Sequence, residues 1–316
     1  MSRFRILSLD GGGIKGTFTA AVLAELERMT GKRVADYFDL IVGTSTGGII
    51  AIALGMGVSA QDLLAFYEQK GPEIFPLLGV RRGAARAVRW WARGPKFSPA
   101  PLRRALESVL GGRRLGDSRL RLVIPSYNAV NGTVTTFKTA HHPRYKQDYR
   151  DPAVHAALAT SAAPSYFPSF CPESGLAFID GGVWANTPVM VGIVEAMGIL
   201  RQRLAAIEML SIGTTDEPCF VGGRQRRGGL AAWSADLVAV PLQAQADGAL
   251  AQARILLRDR FVRVNATTRP GRFALDDASG ITELKGLGVA EARHMEDRIS
   301  RQFFDVPAEP FEPVYA

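Results

Sequence analysis

The chain has 316 residues and a formal net charge of +8, which favours phosphate-bearing partners such as anionic lipid, nucleotide or nucleic acid without choosing among them. Hydrophobic residues make up 47% and charged residues 22%, as in a soluble globular protein with an ample core. Two cysteines, Cys171 and Cys219, exclude a disulfide framework and a multi-cysteine metal site and indicate a reducing compartment.

The N-terminal part alternates strand and helix patterns. Residues 4–9 form a β-prone run that no signal-peptide apolar region precedes, so we expect a cytoplasmic protein. Helical periodicity follows over residues 15–29, and a second apolar strand covers residues 40–42. Strands that alternate with helices predict a three-layer α/β/α fold with a mostly parallel central sheet.

Residues 40–61 carry no charge, which is long enough to propose a membrane span. The stretch also contains Thr44, Ser45, Thr46 and five glycines. We therefore interpret it as a buried strand, a tight turn and a helix that is apolar on all sides.

Further elements follow the same alternation. The Asn131-Gly132 pair predicts a hairpin between two strands. β-prone runs predict strands at 120–124, 134–137, 207–212 and 260–264. Helical periodicity predicts helices at 230–258 and 283–304. No internal repeat or long linker divides the chain, so we expect a single domain over residues 1–316.

The turn Gly43-Thr44-Ser45-Thr46-Gly47 fits the Gly-x-Ser-x-Gly pattern. Its glycines allow strand and helix to close on a strained turn that exposes the Ser45 hydroxyl. The following helix would point its positive N-terminus at the reacting centre. Because a strand precedes this turn and an apolar helix follows it, we expect Ser45 to be a nucleophile.

The first glycine-rich turn runs from Asp10 to Gly16. It fits a dinucleotide-binding pattern, but Asp36 and Asp39 are poorly placed for the carboxylate that such folds need. We instead expect an oxyanion hole, in which the N–H groups of Gly11, Gly12 and Gly13 stabilise a developing alkoxide. One such donor typically lowers the barrier by about 3–4 kcal/mol.

A serine nucleophile needs a base, and the four histidines lie in unpromising contexts: His141, His142, His155 and His294. Asp180 is a better candidate, because it ends a short apolar strand and precedes Gly181 and Gly182. A dry pocket would raise its pKa, and direct contact with the serine would favour proton transfer.

The ordered motifs resemble those of the patatin-like phospholipase family. The resemblance rests on Asp10-Gly-Gly-Gly-Ile-Lys-Gly16, Gly43-Thr-Ser-Thr-Gly47 and Asp180-Gly-Gly182, and spans residues 4–215. The family hydrolyses acyl esters of lipids through a Ser–Asp dyad without histidine. The resemblance thus implies Ser45 as nucleophile, Asp180 as base and Gly11 to Gly13 as oxyanion donors, with phospholipid at a membrane surface as substrate. The remaining motif glycines are Gly16, Gly43, Gly47, Gly181 and Gly182.

The N-terminal stretch is also similar to bacterial patatin-like effectors of antiphage signalling, which cyclic nucleotides switch on. This likeness implies a cyclic dinucleotide or trinucleotide activator and a basic pocket for it. Two groups of arginines are candidates, Arg81, Arg82, Arg86, Arg89 and Arg93, and Arg224, Arg226 and Arg227. The first group, with Val88 and Trp91 opposite, also suits an interfacial helix. We expect peripheral association with the inner face of the membrane, a possible homo-oligomer, no nucleic acid polymer as partner, and no cofactor or metal.

Two alternatives stay open. One is an α/β-hydrolase with a Ser45, Asp180, His294 triad, which matches the chain order of that fold. Against it, only one βα unit precedes the serine turn. The other is a nucleotide-binding regulatory module without chemistry, suggested by the glycine-rich loop and the positive charge.

Overall fold

The computed structural model describes residues 3–76, 94–229, 233 and 236–315. Within these ranges a seven-stranded sheet forms the centre. The strands are β1 (Phe4–Leu9), β2 (Leu40–Gly43), β3 (Arg121–Asn128), β4 (Thr133–Lys138), β5 (Phe178–Asp180), β6 (Ile207–Ile212) and β7 (Phe261–Val264).

The helices cover both faces of this sheet. They are α1 (Gly16–Thr30), α2 (Thr46–Gly55), α3 (Ala60–Ile74), α4 (Ala100–Leu110), α5 (Ala153–Thr160), α6 (Gly182–Ala185), α7 (Val189–Val194), α8 (Gly223–Arg227), α9 (Asp236–Leu257) and α10 (Ile281–Phe303). A π-helical turn, Glu195–Ile199, continues α7.

The sheet has the strand order β4-β3-β2-β1-β6-β7. The pairs β1–β2, β2–β3, β1–β6 and β6–β7 are parallel, and β4 is antiparallel to β3. The β3–β4 hairpin turns at Asn131-Gly132, where Gly132 has a φ of 65°. The predicted mostly parallel sheet and its hairpin are confirmed.

The strand residues alternate between two buried clusters. Leu7 and Leu9 of β1 belong to the larger cluster, which includes Phe18 of α1. Ile6 points to the opposite face and belongs to a smaller cluster with Ile193 of α7 and Leu257 of α9. Because both faces of the sheet are buried under helices, the fold is the predicted α/β/α sandwich.

The uncharged stretch of residues 40–61 forms β2, a turn and the ten-residue α2, whose residues are all buried. The interpretation as strand, turn and helix is confirmed. In the part of the chain that the structure describes, none of the helices combines the length and apolarity needed to cross a bilayer.

Strands β2 and β5 lie along the same edge of β3. Val42 pairs with Val123, and Asp180 pairs with Ser126 three residues further along β3. Strand β4 occupies the other edge of β3 as far as Asn128. Since β2 is parallel to β3 and β5 is antiparallel to it, the carboxyl ends of β2 and β5 point towards each other.

Candidate active site

Ser45 lies in a sharp turn between β2 and α2. Its φ of 53° and ψ of −120° are strained values for a residue with a Cβ atom, and its carbonyl accepts the first bond of the helix from Ile49 N–H at 3.0 Å. Gly43 and Gly47 allow this turn to close. A Cβ atom on Gly43 would overlap the Gly47 carbonyl, and one on Gly47 would overlap the Leu9 carbonyl.

The Ser45 hydroxyl donates to Asp180 Oδ2 at 2.6 Å. The other carboxylate oxygen, Oδ1, accepts from Gly182 N–H at 2.7 Å. The turn itself is held by Thr160, whose Oγ1 accepts from Ser45 N–H at 2.9 Å and whose hydroxyl donates to the Pro125 carbonyl at 2.6 Å. The structure thus brings the two predicted catalytic residues into direct contact.

Both members of this pair are shielded from solvent: Ser45 is 8% exposed and Asp180 is 5% exposed. Burial raises the pKa of Asp180 to about 6, although the hydrogen bonds from Ser45 and Gly182 oppose the rise. A carboxylate with this pKa is ionised at neutral pH, yet it is a stronger base than an exposed aspartate.

The glycine-rich loop follows β1 directly beside the serine turn, because Leu9 of β1 pairs with Gly43 of β2. A Cβ atom placed on Gly11 would lie 3.3 Å from Ser45 Cβ, so the loop contacts the serine. The Gly11 N–H, however, donates to the Asn186 carbonyl at 3.0 Å. Among the described residues, no acceptor meets the amides of Gly12 or Gly13. Of the three amides expected to stabilise an oxyanion, that of Gly11 is thus engaged by the Asn186 carbonyl, and those of Gly12 and Gly13 have no acceptor in the described part of the chain.

Asp10, at the start of this loop, is held by hydrogen bonds to two other segments. Its Oδ2 accepts from Arg263 of β7 at 2.7 Å and from the Thr187 hydroxyl at 2.8 Å. Arg263 also donates to Ser211 Oγ of β6 at 2.8 Å, and Asp10 is itself buried. A further hydroxyl, that of Thr214, donates to the Gly11 carbonyl at 2.8 Å.

Sequence reasoning assigned no role to these supporting residues. Asn186, Thr187 and Thr214 lie within residues 4–215, the range that the family resemblance spans, and this position was the available signal. Arg263 occupies an ordinary strand pattern, and nothing in the sequence points from it to Asp10.

The site opens into a cavity of about 940 Å³. Polar groups line one part of it, including the glycine-rich loop, Ser45, Asp180 and residues 214–217. The other part is apolar and is lined chiefly by Ile49, Phe66, Ile74, Phe75, Leu102 and Phe167. Such a cavity suits a ligand with a polar reacting group and a long apolar portion.

A family model described as patatin-like phospholipase matches residues 7–193, which contain β1, the serine turn and Asp180. The chain belongs to the patatin-like phospholipase family. It is accordingly a lipid ester hydrolase, and the order and spacing of its motifs agree with that membership.

Full-length relatives extend the match beyond this range. A protein of Pseudomonas aeruginosa named cGAMP-activated phospholipase is 33% identical over 93% of this chain and 86% of its own length. A protein of Vibrio cholerae with the same name is 34% identical over 98% of this chain and 97% of its own. Among solved structures, VipD from Legionella pneumophila matches with a TM-score of 0.49 and 12% identity over 94% of this chain and 67% of its own.

The histidines do not line the cavity of this patatin-like protein. His294 is exposed on α10. His141 is buried elsewhere, with Nε2 2.9 Å from Glu195 Oε1. Because Asp180 contacts Ser45 directly, no imidazole lies between them, and the geometry does not support the alternative triad with His294.

The candidate nucleotide-binding arginines fall mostly outside the described residues. This holds for Arg81 to Arg93, for Val88 and Trp91, and for the Arg224 side chain. Arg226 and Arg227 are exposed in the five-residue α8 and do not line the cavity. Lys15 does line it, with Nζ 4.0 Å from Glu217 Oε1, and burial lowers the pKa of Lys15.

Proposed function

We propose that this patatin-like protein cleaves carboxylic esters of membrane phospholipids, as a phospholipase A, with Ser45 as nucleophile and Asp180 as general base. The observation that carries the proposal is the 2.6 Å hydrogen bond from Ser45 Oγ to Asp180 Oδ2 beside a large, partly apolar cavity. The polar part of the cavity would hold the ester and the apolar part would hold an acyl chain.

In the first step Asp180 takes the Ser45 proton while the serine oxygen attacks the ester carbonyl carbon. The negative charge that develops on the carbonyl oxygen would be stabilised by the amides of Gly12 and Gly13, for which the described residues supply no acceptor. When the tetrahedral intermediate collapses, Asp180 returns its proton to the leaving alcohol. An acyl-serine remains.

In the second step water attacks the acyl-serine and Asp180 accepts a proton from that water. Collapse of the second tetrahedral intermediate releases the fatty acid and returns the proton to Ser45. Asp180 thus acts alternately as base and acid, and a pKa of about 6 suits both roles near neutral pH.

The test compares fatty acid release from phospholipid vesicles by the wild-type protein and by Ser45→Ala and Asp180→Asn. We expect both substitutions to abolish turnover. Ser161→Ala is the control for a buried cavity serine, because the Ser161 hydroxyl donates to the Ala157 carbonyl and not to Asp180. Asp148→Asn is the control for a half-buried aspartate whose pKa is also raised to about 6 but which lies outside the cavity.

Wild-type-like turnover in either Ser45→Ala or Asp180→Asn contradicts the proposed dyad. A serine-reactive phosphonate should label wild-type protein and not Ser45→Ala. If Ser45 is not labelled and the protein binds a nucleotide without hydrolysing any lipid or ester, the regulatory module without chemistry becomes the better explanation.

We propose further that a cyclic nucleotide switches this activity on in antiphage defence. The support comes from relatives with 33% and 34% identity that are named cGAMP-activated phospholipases. The net charge of +8 is compatible with an anionic activator.

The activation test measures fatty acid release with cGAMP, with other cyclic dinucleotides, with a cyclic trinucleotide and with none. The linear dinucleotide of the same composition is the matched control. Activation by one cyclic compound alone supports the proposal, whereas an equal rate under every condition contradicts it. Charge-reversing substitutions in each arginine group then identify which one carries the response.

Peripheral membrane association is the last element of the proposal. Val183 and Leu275 line the cavity and are 37% and 40% exposed, so apolar side chains reach the surface beside the site. Sedimentation with anionic vesicles should exceed that with neutral vesicles and should weaken as salt rises. Equal binding to both, independent of salt, would argue against an electrostatic contribution.

A further inference from the structure

Two spaces lie on either side of a thin wall in the helical layer. The larger is the active-site cavity, and the smaller is an apolar void of about 10 Å³, room for a single water molecule at most. Only Ile49 and Phe66, among the described residues, line both spaces. We call this pair the end wall.

Three helices pass from the cavity to the void in the same order. On α2, Ser45 at the helix start faces the cavity, Ile49 lies in the end wall and Ala53 lines the void. These residues are four apart and share one face of the helix. Each turn advances about 5.4 Å, so the void lies two turns from the nucleophile.

Helix α3 passes the cavity, the end wall and the void in the same order. Ile74 lines the cavity, Phe66 belongs to the end wall and Leu63 lines the void. On α4, Leu102 lines the cavity, and the next turns contribute Leu106, Val109 and Leu110 to the void. The void is therefore a blocked continuation of the apolar part of the cavity and not an unrelated packing defect.

We propose that Ile49 and Phe66 set the longest acyl chain that the enzyme accepts. Their side chains close the apolar part of the cavity, so that an acyl chain cannot extend into the void. This inference rests on the proposed ester hydrolysis and names the determinant of chain length within that site. An acyl chain attached to Ser45 would run along α2 past Thr46, whose hydroxyl is paired with that of Tyr67, and on to the apolar side chain of Ile49. Each methylene that gains burial there raises the specificity constant by about fourfold, until the end wall stops the chain.

The proposal predicts opposite shifts for opposite changes in the end wall. Phe66→Ala and Ile49→Ala join the cavity to the void and should favour longer chains. Ile49→Phe enlarges the wall and should favour shorter ones. Phe66→Leu and Ile49→Val are milder versions that test the same direction if truncation to alanine prevents folding.

The experiment offers each variant one vesicle preparation that contains equal amounts of phosphatidylcholines of graded acyl length, and released fatty acids are quantified by mass spectrometry. Competition in one mixture yields ratios of kcat/KM. Phe75→Ala is the matched control, since it removes the same ring from the same cavity but does not border the void. The double variant Phe66→Ala/Val109→Phe refills the void and should return the preference to that of the wild type.

The expected result is a rise in the ratio of longest to next-longest product in the opened variants, by about fourfold for each additional methylene that enters. Active end-wall variants that release the wild-type distribution would overturn the proposal. A shift of the same size in Phe75→Ala would also overturn it. If the wild-type protein releases no fatty acid from any phospholipid, the proposed ester hydrolysis fails instead, and the two failures are thereby distinguished.

Discussion

Ser45 and Asp180 are 135 residues apart in the chain, and their side chains are joined by one hydrogen bond of 2.6 Å. The contact follows from the way two strands share one edge of β3. β2 runs parallel to β3 and ends at the serine turn, while β5 runs antiparallel to β3 and ends at Asp180. The C-terminal ends of β2 and β5 therefore meet along this edge, and Ser45 contacts Asp180 without a third residue between them.

This geometry predicts a pH-rate profile with a single ionisation on its acid side. Because Asp180 must be a carboxylate to accept the serine proton, kcat/KM should fall about tenfold per pH unit below the Asp180 pKa of about 6 and level off above it. Hydrolysis of a soluble short-chain ester between pH 4 and 9 measures the profile. Asp148→Asn should leave the midpoint unchanged, because Asp148 has a similar pKa but lies away from the cavity. If the midpoint moves in Asp148→Asn, the ionisation that limits the rate does not belong to Asp180.

The same raised pKa predicts that Asp180→Asn stabilises the fold at neutral pH. The folded-state pKa of about 6 lies above the ordinary 3.8, so the ionised form is the one that folding disfavours. Well below pH 3.8 the group is protonated in both states and contributes no penalty. The penalty develops between pH 3.8 and about 6, where the unfolded state is ionised and the folded state is still protonated, and it reaches about 3 kcal/mol above that range. Asparagine is never ionised and avoids it.

Chemical denaturation at pH 4 and pH 8 tests this stability prediction. The free energy of unfolding of Asp180→Asn should exceed that of the wild type at pH 8, and the difference should shrink at pH 4. Ser161→Ala should show no pH-dependent difference, because it changes no titrating group. A variant that is less stable than the wild type at pH 8 would mean that the lost hydrogen bonds outweigh the relieved burial of charge.

Much of the site was predictable because its chemistry depends on local motifs. Ser45 and the glycine-rich loop each follow a strand, and a parallel sheet brings such strand ends together. Asp180 was predicted from its own motif, as the end of a short apolar strand before two glycines. The contact of Ser45 with Asp180 required the register of β5, which no local pattern encodes. The hydrogen bond that engages the Gly11 amide is accepted by the Asn186 carbonyl, in a segment 175 residues away. Arg263 was missed because its partner Asp10 lies 253 residues away.

The pair of Asp10 and Arg263 predicts a loss of kcat that exceeds the loss of substrate binding. Arg263→Gln leaves the buried Asp10 carboxylate without its cation, which costs about 3–5 kcal/mol in comparable buried pairs. The glycine-rich loop that follows Asp10 should then lose its position. Because the proposed role of the loop amides is to stabilise the transition state, kcat should fall while KM changes little.

Steady-state kinetics and denaturation together check this positioning role. Arg263→Lys should recover part of kcat, since lysine restores the charge without the second bond to Ser211. The double variant Asp10→Asn/Arg263→Gln should be less destabilised than the sum of the single variants, because no uncompensated charge remains. If these variants raise KM and leave kcat unchanged, Asp10 and Arg263 contribute to substrate binding and not to positioning the loop.

Gly13 and Gly31 offer a matched pair of glycines, because both have a left-handed φ, 58° and 65°. A Cβ atom on Gly31 meets nothing within 4 Å, so Gly31→Ala should cost only about 1–2 kcal/mol of stability and keep full activity. A Cβ atom on Gly13 would overlap the Leu275 carbonyl, which also accepts from Ile14 N–H at 2.9 Å. The loop in Gly13→Ala must therefore shift, and the amides of Gly12 and Gly13 shift with it. We expect kcat to fall by about 10²–10³, as when an oxyanion donor is removed, whereas equal activity in both variants would show that these amides are not the donors.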